Sequence, residues 1–321
     1  MILNILILIV SVAMIVFGAD LLTDGASNIA RRLHVPELLI GLTVVAFGTS
    51  MPEMVVSVIS GLEGKPELAI GNVVGSNLAN TLVILGATAL ICPITISKQA
   101  IGKDIPWSII AALLLLISAS GAFINGDVNN EITRQSGLMM LCVFAIFLYY
   151  TILTAMSERK KEDEKTEEQI PQAPVWKILL FVALGLTGLL WGGQLFVDSA
   201  SSLAFMMGWS ESLVGLTIVA LGTSAPELAT SIVAALKNKS GLAIGNAVGS
   251  NIFNILLILG VSSTVTPLKM GNITYIDLLM QFGCSILLWV FARTDFKLTR
   301  KEGITMLLIY FSYMTYLILQ Q

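Results

Sequence analysis

The chain has 321 residues, 55% of them hydrophobic and only 12% charged, with a mean hydropathy of +0.86. Soluble domains carry about 25% charged residues, so this composition excludes a soluble globular protein and makes lipid the main solvent. The net charge of −3 says little where charges are placed by the membrane, and no basic stretch interleaved with aromatics points to nucleic acid as a partner.

A hydrocarbon core about 30 Å thick takes roughly 20 helical residues per crossing. Apolar segments of that size run over 2–24, 36–62, 68–92, 105–124, 136–156, 176–197, 210–236, 241–265, 274–292 and 303–320. They predict an all-α polytopic membrane protein of ten transmembrane helices. The first has no basic leader and no small-residue cleavage site, so it reads as a retained helix rather than a signal peptide. Asp20 and Asp24 at its end suit either a solvated helix terminus or a place on an ion path. Arg31, Arg32 and the one histidine, His34, follow as a loop. A lone histidine leaves no His-based metal cluster and no Ser-His pair. Cys92, Cys142 and Cys284 each lie in or at the end of an apolar segment and read as small packing residues.

Segments 2, 3, 7 and 8 are rich in Gly, Ser, Thr and Asn, which predicts that they face protein or water instead of lipid. Between segments 5 and 6 lies the hydrophilic stretch "SERKKEDEKTEEQIPQAP", residues 157–174, a linker between two halves. With both termini outside, the inner loops hold 15 of the 18 Lys and Arg, and the outer ones keep Lys65, Arg134 and Lys269. This positive-inside bias predicts a protein of the cytoplasmic membrane with the linker in the cytoplasm.

The chain repeats itself at an offset of 174 residues. Residues 41–93 align without a gap on 215–267, with 28 of 53 positions identical. Two blocks carry most of this, "GLTVVAFGTSMPE" with "GLTIVALGTSAPE" and "LAIGNVVGSNLAN" with "LAIGNAVGSNIFN". The organisation is therefore a first five-helix repeat over 1–156, the linker 157–174, and a second repeat over 175–321. Because five is odd, the repeats are inverted, an arrangement whose site usually lies where broken helices of the two halves meet.

Pro52 has no N–H, and its ring crowds the carbonyl of Gly48; Pro226 does the same to Gly222. Freed backbone groups at membrane depth are tolerated where protein, water or an ion satisfies them. Thr49 and Ser50 sit four and three residues before Glu53, and Thr223 and Ser224 stand in the same relation to Glu227. In segment 3, Ser76 and Asn77 precede Asn80, and Ser250 and Asn251 precede Asn254. Gly71 and Gly75, with Gly245 and Gly249, give these helices a small-residue face for close approach to segment 2 or its counterpart. The inventory is carboxylates, hydroxyls and amide oxygens, without sulfur or imidazole. Hard oxygen ligands suit Ca²⁺, and two carboxylates match one divalent charge.

At these residues the sequence resembles the cation/Ca²⁺ exchanger superfamily, in its prokaryotic sodium/calcium exchanger-like branch. "GTSMPE…GNVVGSNLAN" and "GTSAPELATS…GNAVGSNIFN" look like that family's α-repeats. The resemblance implies an antiporter, not an enzyme, with no cofactor, that exchanges Ca²⁺ for Na⁺ by alternating access in which helices 1 and 6 slide. It implies Glu53 and Glu227 as the central carboxylates for Ca²⁺, used also by Na⁺. Thr49, Ser50, Thr223 and Ser224 would add hydroxyl or backbone oxygens. Ser76 and Ser250, with the carbonyls of Ala46 and Ala220, would line flanking Na⁺ positions, and Asn80 and Asn254 would close the middle. Some members carry Asp where this chain has Asn254. Coupling to H⁺ or K⁺ stays open beside Na⁺; a passive channel and an intramembrane hydrolase using Ser50 or Ser224 are remote alternatives.

Overall fold

The helices follow one another as α1 (Leu3–Leu33), α2 (Glu37–Thr49), α3 (Met51–Leu62), α4 (Pro66–Ile91), α5 (Ala100–Ser118), α6 (Arg134–Arg159), α7 (Val175–Met206), α8 (Ala220–Thr223), α9 (Ala225–Leu236), α10 (Ser240–Val265), α11 (Tyr275–Arg293) and α12 (Arg300–Leu319). They come from a computed structural model that describes residues 2–121, 130–163, 173–208 and 220–320. Among the described residues, eight helices are long and apolar enough to cross a membrane, and the bent pair α2–α3 makes a ninth. This is a polytopic membrane fold. The expected segment 210–236 lies outside the described residues as far as 219, and its described part is α8 and α9.

Several boundaries differ from expectation. α1 continues to Leu33, so Arg31 and Arg32 occupy its last turn instead of a loop. Cations are favourable there, beside the unpaired carbonyls of a helix C-terminus. His34, at φ 53°, ends the helix. The helix beginning at Arg134 runs on to Asp163, so the hydrophilic stretch after residue 157 starts helical; 164–172 lie outside the described residues, as do 122–124 of the expected fourth segment.

Burial separates the helices into two kinds. In α10 and α4, 94% and 72% of the spanning window is buried, against 28% for α1, α6 and α7 and 17% for α12. The Gly/Ser/Asn-rich segments 3 and 8 are thus interior helices, as their composition predicts. Both carry a π-helical stretch, Ala79–Ile84 in α4 and Phe253–Leu259 in α10, and two more span Gly41–Val45 and Ala100–Asp104. The sequence pattern gives no sign of these wider turns, which frequently occur at functional sites.

The described residues group into two units that cut across the repeats: Met1–Pro52 with Ala155–Asn246, and Glu53–Thr154 with Ala247–Gln321. In the first unit α1 packs along α7 through glycines. A Cβ on Gly185 would lie 2.6 Å from Leu22 N, and one on Gly18 would lie 2.8 Å from Gly185 O. At Gly245 a Cβ would meet Leu38 O of α2 at 2.4 Å. The close approach expected of the small-residue faces is therefore made by Gly245 against α2. Among the described residues the nearest atom to a Cβ on Gly71 is Ile273 Cδ1 at 3.5 Å, and the counterparts of Leu38 and Leu42 in segment 7, 212 and 216, lie outside the described residues.

In the second unit α12 packs on α4, where a Cβ on Gly303 would meet Gly86 O at 2.6 Å. α11 packs on α5, and Trp289 Nε1 donates to Ile101 O at 2.9 Å. Two antiparallel strand pairs clip loop ends together: Ile94–Thr95 with Lys297–Leu298, and Glu131–Ile132 with Leu268–Lys269. α11 and α12 both start in a Thr-x-x-acid pattern. Asp277 accepts from Thr274 N at 2.7 Å and Glu302 accepts from Thr299 N at 2.7 Å, satisfying N–H groups that a helix start leaves bare.

The glycine seam yields a paired prediction. Gly185→Ala forces α1 and α7 apart and should cost about 1–3 kcal/mol, as overpacking does. Gly283→Ala, where a Cβ meets nothing within 4 Å, should be neutral or gain up to about 1 kcal/mol from helix propensity. Melting temperatures of the purified variants in detergent decide the matter; equal effects at the two positions would refute the seam.

Candidate cation site

The proline motifs break their helices as the sequence implies. Ser50 leaves helical geometry at φ −84°, ψ 10°, and α2 and α3 are bent by 49° there. Ser224 has nearly the same backbone, φ −90°, ψ 8°, ahead of α9, with Pro226 in the first turn. In both, the carboxylate residue sits in the first turn of the helix after the break, where the bare N–H groups favour negative charge.

The first unit holds the Glu227 cluster. Ser50 Oγ donates to Glu227 Oε1 at 3.1 Å. Helical spacing puts Ser50 on the face of Glu53, but the break at Ser50 ends that register and turns its hydroxyl to the carboxylate of the other repeat. Thr49 Oγ1 lies 3.1 Å from Asn246 Oδ1 and 3.1 Å from Val45 O, so its single hydrogen is shared between them. Ala46 O accepts Ser50 N–H at 3.0 Å and faces Thr49 Oγ1 at 3.4 Å. Asn246 Nδ2 donates to Glu227 O at 3.2 Å and to Ser231 Oγ at 3.1 Å. Thr49, Ser50, Ser224 and Glu227 are all buried, Glu227 to 1% exposure. Glu227 Oε2, Ser224 Oγ and Thr230 Oγ1 are buried and have no hydrogen-bond partner among the described residues. Thr223 is half-buried, and Ala220 opens α8.

The second unit holds the Glu53 cluster and an asparagine network. Asn72 Nδ2 donates to Glu53 O at 3.2 Å and to Ser57 Oγ at 2.9 Å, the same pattern Asn246 makes 174 residues later. Ser76 Oγ donates to Glu53 Oε1 at 3.4 Å. Asn80 Nδ2 donates to Asn251 Oδ1 at 3.1 Å, and Asn254 Nδ2 donates to Asn77 Oδ1 at 2.9 Å. Asn77 Nδ2 reaches Asn251 O at 3.3 Å, and Asn251 Nδ2 reaches Thr81 Oγ1 at 2.8 Å. Asn80 Oδ1, Asn254 Oδ1 and Ser250 Oγ are buried without a donor among the described residues.

Asn72, Asn246, Ser57 and Ser231 have no part in the sequence-derived site, though their identity at the repeat offset was a usable signal. Thr81 is different: its counterpart is Ile255, so the repeat is silent about it. Asp20 and Asp24 prove to be ion-paired. Lys237 Nζ lies 2.7 Å from Asp20 Oδ1 and 2.9 Å from Asp24 Oδ1, and Lys239 Nζ lies 3.1 Å from Asp24 Oδ1. Desolvation works against the Lys237 ammonium, but the two carboxylates outweigh it and hold its pKa above the ordinary lysine value.

Among the described residues no group of three or more His, Cys, Asp or Glu is placed to hold a metal. Around the two glutamates the other polar groups described are hydroxyl, amide and backbone oxygens. That donor set fits a hard cation carried as cargo better than a resident transition metal.

Fold and clusters together define a multi-pass membrane protein with carboxylates, hydroxyls and amides buried among its helices. The family described as sodium/calcium exchanger protein matches residues 3–153 and 177–319, and the chain belongs to it. The sodium/calcium exchanger MaX1 of Methanosarcina acetivorans is 29% identical over 344 residues, covering 98% of each chain. The inner membrane protein YrbG of Escherichia coli is 35% identical over 274 residues, covering 84% of this chain and 82% of its own. A solved structure of the sodium-calcium exchanger NCX_Mj, soaked with 2.5 mM Na⁺ and 10 mM Sr²⁺, superposes with a TM-score of 0.81 at 31% identity, covering 98% of each chain.

Asn246→Ala should strip a donor from Glu227 O and Ser231 and an acceptor from Thr49. Leaving buried polar groups unpaired costs about 1–3 kcal/mol each, so the variant should melt well below the unaltered protein. An unchanged melting temperature would show that Asn246 does not brace the broken helix.

Proposed function

We propose that this protein is a secondary antiporter that exchanges Ca²⁺ for Na⁺ across the cytoplasmic membrane by alternating access. The observation that carries the reading is that, among the described residues, the buried oxygens without a hydrogen-bond partner include five in the two motif blocks: Glu227 Oε2, Ser224 Oγ, Asn80 Oδ1, Asn254 Oδ1 and Ser250 Oγ. Such groups are costly at membrane depth unless something polar meets them, and a hard cation does so while a packed apolar core cannot. Membership of the sodium/calcium exchanger family supports the identity of the cargo.

In this reading Glu53 and Glu227 are the Ca²⁺ carboxylates. Thr49, Ser50, Thr223, Ser224, Ser76, Ser250, Asn80, Asn254 and the carbonyls of Ala46 and Ala220 are the neutral ligands for Ca²⁺ and Na⁺. The architecture is ten helices in two inverted five-helix repeats, 1–156 and 175–321, joined by the linker 157–174. The Lys/Arg bias, 15 against 3, supports a cytoplasmic linker with both termini outside. Ca²⁺ and the counter-cation compete for the same oxygens, so one crosses as the other returns.

The test is uptake of labelled Ca²⁺ into proteoliposomes. An imposed Na⁺ gradient without a pH gradient should drive it. Uptake that needs only a pH gradient would replace Na⁺ by H⁺ as the coupling ion, with Glu53 and Glu227 as proton carriers; a K⁺ requirement would be read in the same assay. Ca²⁺ flux with no counter-ion would make the protein a channel. Glu53→Gln and Glu227→Gln should each abolish uptake while the variants stay folded in the membrane. Near-normal uptake by either one would refute the two-carboxylate site.

A further inference from the structure

We infer that Asn77 and Asn251 are positioning residues: they lock the side-chain amides of Asn80 and Asn254 with the carbonyl oxygen presented to the transported cation. The inference rests on the Ca²⁺ reading of the site and adds residues that do not themselves touch the ion.

An asparagine amide has an acceptor and a donor end of nearly equal size, so in a buried site its orientation must be imposed. Here the imposition is reciprocal. Asn80 Nδ2 donates to Asn251 Oδ1 at 3.1 Å, and Asn254 Nδ2 donates to Asn77 Oδ1 at 2.9 Å. Asn80 and Asn254 correspond at the repeat offset of 174, as do Asn77 and Asn251. The amide of each repeat is thus aligned by an asparagine of the other. Turning either amide over would set two acceptor oxygens against each other at hydrogen-bond distance, leaving the donor end unpaired.

The aligning residues are themselves held. Asn251 Nδ2 donates to Thr81 Oγ1 at 2.8 Å, and Asn77 Nδ2 donates to Asn251 O at 3.3 Å. All four asparagines are buried to 3% exposure or less. Within this network the oxygens that no donor meets are Asn80 Oδ1 and Asn254 Oδ1. The π-helical stretches Ala79–Ile84 and Phe253–Leu259 carry Asn80 and Asn254, and a wider turn changes the angle at which each amide leaves its helix.

A carboxylate offers oxygen whichever way it turns, so it needs no aligning acceptor. This separates positioning from a structural role. Asn251→Ala should weaken Ca²⁺ affinity about 10–100-fold, the usual effect of removing a group that orients a ligand. Adding Asn80→Asp to Asn251→Ala should restore the affinity without restoring the melting temperature. Asn80→Asp alone, with Asn251 Oδ1 opposing the new carboxylate, should show no such gain. Affinities would be read by calorimetric titration of purified full-length protein with CaCl₂.

Unchanged affinity in Asn251→Ala, or a loss that Asn80→Asp does not rescue, overturns the inference. If Asn251→Ala does not fold, Asn77→Ala with Asn254→Asp repeats the cycle, and Asn251→Asp, which keeps the acceptor, should bind Ca²⁺ at least as well as the unaltered protein. Weaker binding by Asn251→Asp counts against positioning. Absence of Ca²⁺ binding by the unaltered protein is a separate result, which removes the Ca²⁺ reading and this inference with it.

Discussion

Hydrocarbon offers neither donors nor acceptors, so every polar group exposed by a broken membrane helix must be met inside the protein. The breaks at Ser50 and Ser224 raise this demand, and polar side chains gather beside them. Asn72 and Asn246 each reach back to the carbonyl of the motif glutamate and to a serine one turn further on, at Ser57 and Ser231. Those bonds tie α4 to α3 and α10 to α9 next to the carboxylates. The oxygens left over sit on groups that can point at an ion.

Much of this was legible in the sequence because proline and glutamate at membrane depth have few ordinary uses. The duplicated "GTSxPE" motif located both breaks and both carboxylates, and the composition of segments 3 and 8 located the interior helices. Helical spacing failed where the helix itself failed. It assigned Ser50 to Glu53, whereas the break delivers Ser50 to Glu227. The π-helical stretches were invisible, since inserting one residue into a turn leaves no mark on an apolar pattern. Thr81 was invisible for another reason: its role exists in one repeat alone, with Ile255 at the equivalent position. The first helix was read short because Asp20 and Asp24 resemble a helix end, and Arg31 and Arg32 a loop, until Lys237 and Lys239 are seen beside the two aspartates.

The two units each hold one motif carboxylate, Glu227 in the first and Glu53 in the second, and their surroundings differ. Glu227 is served by the hydroxyl of Ser50 and lies beside Thr49, whereas Glu53 takes Ser76. The asparagine network belongs wholly to the second unit. The sequence repeat is kept in the bonds of Asn72 and Asn246, each of which meets a motif glutamate carbonyl and a serine. Each cluster mixes amides with hydroxyls.

The seam between α1 and α7 has a mechanical meaning. Interlocked side chains resist lengthwise motion, because each must climb out of its groove before the next can be entered. Where Gly18 and Gly185 face each other, the contact is backbone against backbone, and those steps are smallest. Two to six residues further along α1, Asp20 and Asp24 are ion-paired with Lys237 and Lys239. The seam thus joins a contact that is indifferent to the surrounding solution with one whose strength falls as salt rises.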